Sequence, residues 1–350
     1  MFKFKTFLAI FYIVSLCDCD SGPLVSLRQG KLLGRYFKTR KGRIISGFSG
    51  IPYAKPPVGE LRFRPPIVPE NWNGTLNATQ PHNVCPQINF YDTENPIIGN
   101  EDCLYLNVYT PWIPEGKCSN LSFPILFYIH GGSFSIGSGR YDWLGPEYLL
   151  DQDLVLVTIN YRLGVLGFLS AGDCILPGNN GLKDQVMALK WVKENIATFG
   201  GDPQKVTICG SSSGSISVHL LTLSPMSKGL MRSAIIQSGT AISGISIMSR
   251  NESMKFAYQF GQRFNCTIGT SEKLRKCLLD IDPYDIVREQ LTFAVEWDSS
   301  IVPFTPTIEE NCTKVFLDRH PSELVQSNDI VDIPVIIGMV PYEGMIISAG

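Results

Sequence analysis

Five short runs of β-branched and aromatic residues punctuate the chain, at 125–129, 154–160, 206–209, 234–236 and 335–339, each bounded by Gly, Pro or Asn. Continuous apolar runs of this length predict strands buried on both faces. Between the second and third runs, Leu182, Val186, Leu189, Val192 and Ile196 step by four, three, three and four, the period of an amphipathic helix. Asn180 and Gly181 open that segment, and Gly200-Gly201-Asp202-Pro203 stops it. A second helix is expected after the Gly/Ser cluster at 210–215, through Val218, Leu220 and Leu221. Strands alternating with helices predict an α/β domain on a mainly parallel sheet. Ligands of such sheets bind beyond the carboxyl ends of the strands.

The first residues follow a different pattern. Lys3 and Lys5 precede an apolar run at 8–16, too short to span a bilayer, and Asp18 and Asp20 end it. This reads as a signal peptide over 1–19, cleaved after Cys17 or Cys19. One domain over 20–350 is then expected, secreted and without a transmembrane span. Six N-x-S/T acceptors, at Asn73, Asn77, Asn120, Asn251, Asn265 and Asn311, agree with a glycosylated surface in an oxidising compartment. The ten cysteines form no C-x-x-C pair, so no metal site is expected. With 44% hydrophobic residues the chain is no disordered segment. A net charge of −2 without a basic run argues against nucleic acid as partner.

Chemistry concentrates at Gly210-Ser211-Ser212-Ser213-Gly214, a G-x-S-x-G set between a strand and a helix. A strand-to-helix turn this tight strains the central residue, and small neighbours let the two elements approach. Ser212 would project above the sheet edge as a nucleophile, with a helix N-terminus aimed at the same spot. A Ser/Gly-rich loop can match by chance, but it would lack the flanking strand and helix. His130-Gly131-Gly132-Ser133-Phe134 directly follows the strand at 125–129. Successive glycines expose N–H groups that can hold an oxyanion. The donors would be Gly132, Ser133 and Ser213, with Ser133 standing where a third glycine is usual.

These stretches resemble the type-B carboxylesterases, the family that also contains the cholinesterases. Residues 199–214 match its long serine signature, 101–109 its second signature, and 50–57, 160–164 and 181–185 are similar to further blocks. The resemblance implies an α/β-hydrolase fold, a central mostly parallel sheet flanked by helices. It implies hydrolysis of a carboxylic ester through an acyl-enzyme, without cofactor. Glu343, after the strand at 335–339, sits where the family carries its triad acid, and Ser238 resembles a residue that orients that acid. Cys85–Cys103 and Cys266–Cys277 occupy the positions of two family disulfides. Arg62 with Glu101, and Arg162 with Asp184, look like its buried ion pairs. No Trp lies between Cys85 and Cys103, where cholinesterases carry one that binds the choline cation, so that branch is not expected. Cys209 follows apolar Ile208 and reads as a buried, inert thiol.

The base is the departure. The fold's triad runs Ser, acid, His, and no His follows Glu343. His82, His130, His219 and His320 all precede it and read as structural. The chain therefore resembles about the first two-thirds of a family member, and by itself it is expected to be inactive. The alternative is a secreted, catalytically inactive binding or adhesion protein on the same fold. Adhesion members of the family typically lose the nucleophile, whereas Ser212 is kept here. Which ester is cleaved and what oligomer forms are left open by the sequence.

Overall fold

The apolar runs pair into an eight-stranded sheet in the computed structural model, which describes residues 22–343 apart from 90, 91, 93, 95, 115–121, 244, 245, 267, 268 and 297–303. The expected signal peptide at 1–19, Cys118 and Asn120 lie outside the described residues. The strands are β1 (Leu24–Leu27), β2 (Gly30–Leu33), β3 (Arg35–Lys38), β4 (Ile44–Pro52), β5 (Thr75–Asn77), β6 (Gln87–Ile88), β7 (Ile97–Ile98), β8 (Tyr105–Thr110), β9 (Phe123–Ile129), β10 (Val155–Ile159), β11 (Gly201–Ser211), β12 (Ser233–Gln237) and β13 (Val335–Gly338). The large sheet runs β13-β12-β11-β9-β10-β8-β4-β3. From β13 to β10 every pairing is parallel, and from β10 to β3 every pairing is antiparallel. All five expected strands lie in the parallel half.

Helices α1 (Gly164–Phe168), α2 (Asn180–Asn195), α3 (Ser213–Leu223), α4 (Arg250–Gln262), α5 (Ser271–Leu279), α6 (Pro283–Glu296) and α7 (Pro321–Gln326) complete the regular structure. In α2, Leu182, Val186, Leu189 and Val192 are buried, as the apolar period requires. Every residue of β10 is buried, which explains why its run is apolar but for Thr158. Helix α4 opens on a capping box: Ser249 Oγ accepts from the Glu252 N–H, and the Glu252 carboxylate accepts from the Ser249 N–H at 3.0 Å. Apolar side chains from Val25 to Leu324 pack into one cluster around the sheet. At the parallel edge, β13 leaves Ile336 66% and Ile337 64% exposed. No helix of the described residues is long and apolar enough to cross a membrane.

Two buried ion pairs hold α2. Arg162, just beyond β10, donates to both carboxylate oxygens of Asp184, Nε at 2.8 Å and Nη2 at 2.6 Å, and its own N–H adds a third bond. Lys183 Nζ meets Glu309 Oε2 at 2.8 Å, and Asn179 donates to the same carboxylate. Burial pulls the Lys183 amine down and pushes the Glu309 carboxyl up, each towards its neutral form. Arg62 forms a two-pronged pair with Glu101 and donates to the carbonyls of Leu278, Leu279 and Ile281 at the end of α5. Among the described residues three disulfides close loops, Cys85–Cys103 and Cys266–Cys277 as expected, and Cys174–Cys312, which no motif predicts. Asp184→Ala should strand the Arg162 guanidinium in a dry site and cost about 3–5 kcal/mol. Guanidinium denaturation of the full-length variant beside the wild type measures that loss.

Candidate active site

Four adjacent parallel strands end on one rim, and every candidate residue except Ser213, the first residue of α3, is strung along it. The strip 130–134 follows β9, Ser212 follows β11, Ser238 follows β12, and Glu343 lies five residues past β13. Registers align the strand ends. Gly210 stands opposite Ile129, Ser211 opposite Gln237, and Gln237 opposite Gly338. The ladder continues into the rim, where the Ser212 N–H donates to Gln237 O at 2.9 Å and the Ser238 N–H to Gly338 O at 2.9 Å.

Ser212 is exposed and carries the backbone strain expected of it, φ 56° and ψ −125°. The two flanking glycines explain how the reversal fits. A Cβ on Gly214 would sit 2.2 Å from Ile129 O, and one on Gly210 would sit 2.4 Å from Gly214 O. Only bare Cα atoms let α3 start this close to β11 and β9. Ser213, at the start of α3, has no intrahelical partner for its N–H.

The strip after β9 turns through three left-handed residues: Gly132 at φ 111°, Ser133 at 54° and Phe134 at 58°. The N–H groups of Gly132 and Ser133 donate to no protein acceptor among the described residues, while Gly132 O accepts from Ser135 and Ile136. The Ser213 N–H, at the open end of α3, has no intrahelical partner either. Ser238 is left-handed as well, at φ 58°. Non-glycine residues in this region are uncommon, and Ser133, Phe134, Ser212 and Ser238 all belong to the rim. The sequence reading expected strain only at Ser212.

Glu343 accepts from the Val340 N–H at 3.0 Å, and the Ser238 hydroxyl lies beside its carboxylate. The hydroxyl, first, and the N–H hold the carboxyl below its ordinary pKa, because both favour the charged form. The four imidazoles are engaged elsewhere. His82 stacks on Tyr105, and His130 stacks on Tyr161 while donating from Nδ1 to Gly131 O at 2.8 Å. Burial drives the His130 pKa down to about 4, so the ring is neutral. His219 Nδ1 accepts from the Ala241 N–H, and His320 Nδ1 accepts from the Ser322 N–H to cap α7. No imidazole nitrogen of the described residues is hydrogen-bonded to Ser212. Cys209, on β11, is buried and free, its thiol pushed up to about 11 by burial, which keeps it protonated. Asn73, Asn77, Asn251, Asn265 and Asn311 are all exposed.

Comparison with known proteins bears on this rim. The sequence model of the carboxylesterase family matches residues 21–349. Esterase FE4 of Myzus persicae is 44% identical over 333 residues, covering 95% of this chain and 57% of that protein. A juvenile hormone esterase of Tribolium castaneum is 41% identical over 363 residues, covering 99% of this chain and 60% of that protein. Among solved structures, the juvenile hormone esterase of Manduca sexta, with OTFP covalently attached, superposes with a TM-score of 0.82 at 34% identity. That match covers 89% of this chain and 59% of the other. The chain thus spans about three fifths of the length of these relatives.

Replacing Ser238 with alanine removes the hydroxyl that favours the charged form of Glu343. The Glu343 pKa should then rise towards the ordinary carboxyl value. A pH titration of the Glu343 carboxyl carbon by NMR, in wild type and Ser238→Ala, reads the shift.

Proposed function

The chain belongs to the carboxylesterase family, and from that premise we propose that the full-length protein hydrolyses carboxylic esters with Ser212 as nucleophile. The observation that carries this reading is the strained, exposed Ser212 beside the unpaired N–H groups of Gly132, Ser133 and Ser213. Ser212 Oγ attacks the acyl carbon while a base takes its proton. The carbonyl oxygen becomes an oxyanion held by the three N–H groups, and losing one such donor typically costs about 10²–10³ in kcat. Expulsion of the alcohol leaves an acyl-enzyme, which water then hydrolyses by the same steps in reverse roles. Glu343, charged and fixed by Ser238, orients the base. In the order Ser, acid, His the base would follow Glu343.

The protein is read as a secreted glycoprotein that sheds residues 1–19. Three disulfides and five exposed acceptor asparagines support this. Two outcomes test the catalytic reading. An organophosphate should label Ser212 of the full-length protein, found by peptide mass spectrometry, in step with loss of ester hydrolysis. Full activity with no label on Ser212 would overturn the assignment. Residues 1–350 expressed alone should show no turnover of an aryl ester above a Ser212→Ala blank, because a weak nucleophile without its base is left. Turnover at about 1–10³ s⁻¹, typical of enzymes, would mean that one of His82, His130, His219 or His320 serves Ser212.

A further inference from the structure

The strip that offers Gly132 and Ser133 is intrinsically strained, and such backbone persists only where its surroundings over-determine it. One end is fixed by β9 and by Tyr161, whose hydroxyl donates to His130 O at 3.0 Å. Behind the strip, Asn160 Oδ1 accepts from Ser138 Oγ and from the Gly139 N–H. Between these supports lies Gly137, packed against the root of the strip. At φ 119° it packs so tightly that a Cβ there would lie 2.2 Å from His130 Nδ1 and 2.5 Å from Gly131 O. A displacement of Gly137 therefore moves His130 and Gly131, and with them the donors that follow.

A single side chain holds both backbone polar groups of Gly137. Gln87 Oε1 accepts from the Gly137 N–H at 2.7 Å, and Gln87 Nε2 donates to Gly137 O at 2.9 Å. Nε2 donates again to Cys85 O at 3.0 Å. Gln87 is 1% exposed, so losing these bonds would strand buried amide atoms, which is costly. The side chain is itself tied down. Cys85, two residues away, is disulfide-bonded to Cys103 at the start of β8, and Gln87 pairs with Ile98 across β6 and β7. We propose that Gln87 is a positioning residue for ester hydrolysis: it clamps Gly137 and so sets where the Gly132 and Ser133 N–H groups meet the oxyanion. The inference rests on the esterase reading above. It needs a primary amide, because a carboxylate lacks the donor for Gly137 O and a thioether lacks both partners.

The test uses the full-length protein with Gln87→Met and Gln87→Glu, an aryl ester as substrate and a trifluoromethyl ketone as inhibitor. The ketone occupies the strip only after Ser212 adds to it, so its affinity follows oxyanion stabilisation rather than ground-state binding. In Gln87→Met, kcat should fall by about 10–10²-fold, the order expected of a 1 Å misplacement. The KM should stay within about threefold, since a lost transition-state contact lowers kcat and leaves binding alone. Ketone affinity should weaken in parallel with kcat. Gln87→Glu, buried, titrates above the usual carboxyl range, and its protonated form regains the donor. The ratio of its kcat to that of the wild type should therefore rise as pH falls. If Gln87→Met does not fold, that pH-dependent ratio decides alone. Unchanged kcat and ketone affinity, with only the melting temperature lowered, or a ratio flat with pH, would overturn the proposal. Those outcomes beside an active wild type overturn it alone. A full-length wild type without hydrolysis, or a Ser212→Ala variant that keeps it, overturns the esterase reading as well.

Discussion

The rim of the sheet depends on how sharply the chain reverses at Ser212. Strand β11 must end and α3 must begin within two residues, with the helix start pressed against the end of β9. Bare Cα atoms at Gly210 and Gly214 permit that contact, since any side chain would collide with a carbonyl less than 2.5 Å away. The reversal forces Ser212 to φ 56°, and the same geometry raises its hydroxyl out of the fold and turns the Ser213 N–H beside it. The strain is thus a condition of the site, held by a sheet that has no freedom to yield.

That rigidity comes from a distance. Parallel strands β9, β11, β12 and β13 are in register, so their ends form a row in which neighbouring residues differ by one strand spacing. Helix α2 is fixed to the sheet by the Arg162–Asp184 pair, and Lys183–Glu309 ties it to the segment that Cys312 joins to Cys174. Such pairs contribute little net stability, because desolvation offsets most of their attraction. Their effect is to make any other arrangement of the same segments expensive, since it would leave a buried charge alone. The disulfide loop 85–103 extends this bracing to the strip after β9.

The parallel half of the sheet was readable because its strands are continuously apolar and its helices keep a clean period. The antiparallel half was not. Strand β4 is interrupted by Gly47 and Gly50 and shifts register between Phe48 and Ile51, and β1, β2 and β3 are four residues each, with charged or polar positions and no dominant period. Helices α4 to α6 carry ordinary caps but no chemistry to draw notice. The Cys174–Cys312 bond joins residues 138 apart, and eight cysteines permit too many pairings for spacing to choose. Ser212, the strip and Glu343 were legible as motifs. The left-handed backbone at Ser133 and Ser238 was not, because neither residue type favours it and only the tertiary contacts impose it.

The rim lies open to water. Ser212 and Ser133 are exposed, and Glu343 sits where water reaches it. Hydrogen bonds aimed at a developing charge are worth most where water is excluded, since the interaction scales inversely with the local dielectric. Along the parallel edge, Ile336 and Ile337 also face solvent, on a strand whose outer backbone groups have no partner among the described residues. An apolar edge of this kind is unfavourable until something packs on it. A cover on that face would remove apolar surface from water, and one that reached Ser212 would also lower the dielectric there. Folding and catalysis would then draw on the same contact, with the donors preset by the elbow and the strip and their strength set by the cover.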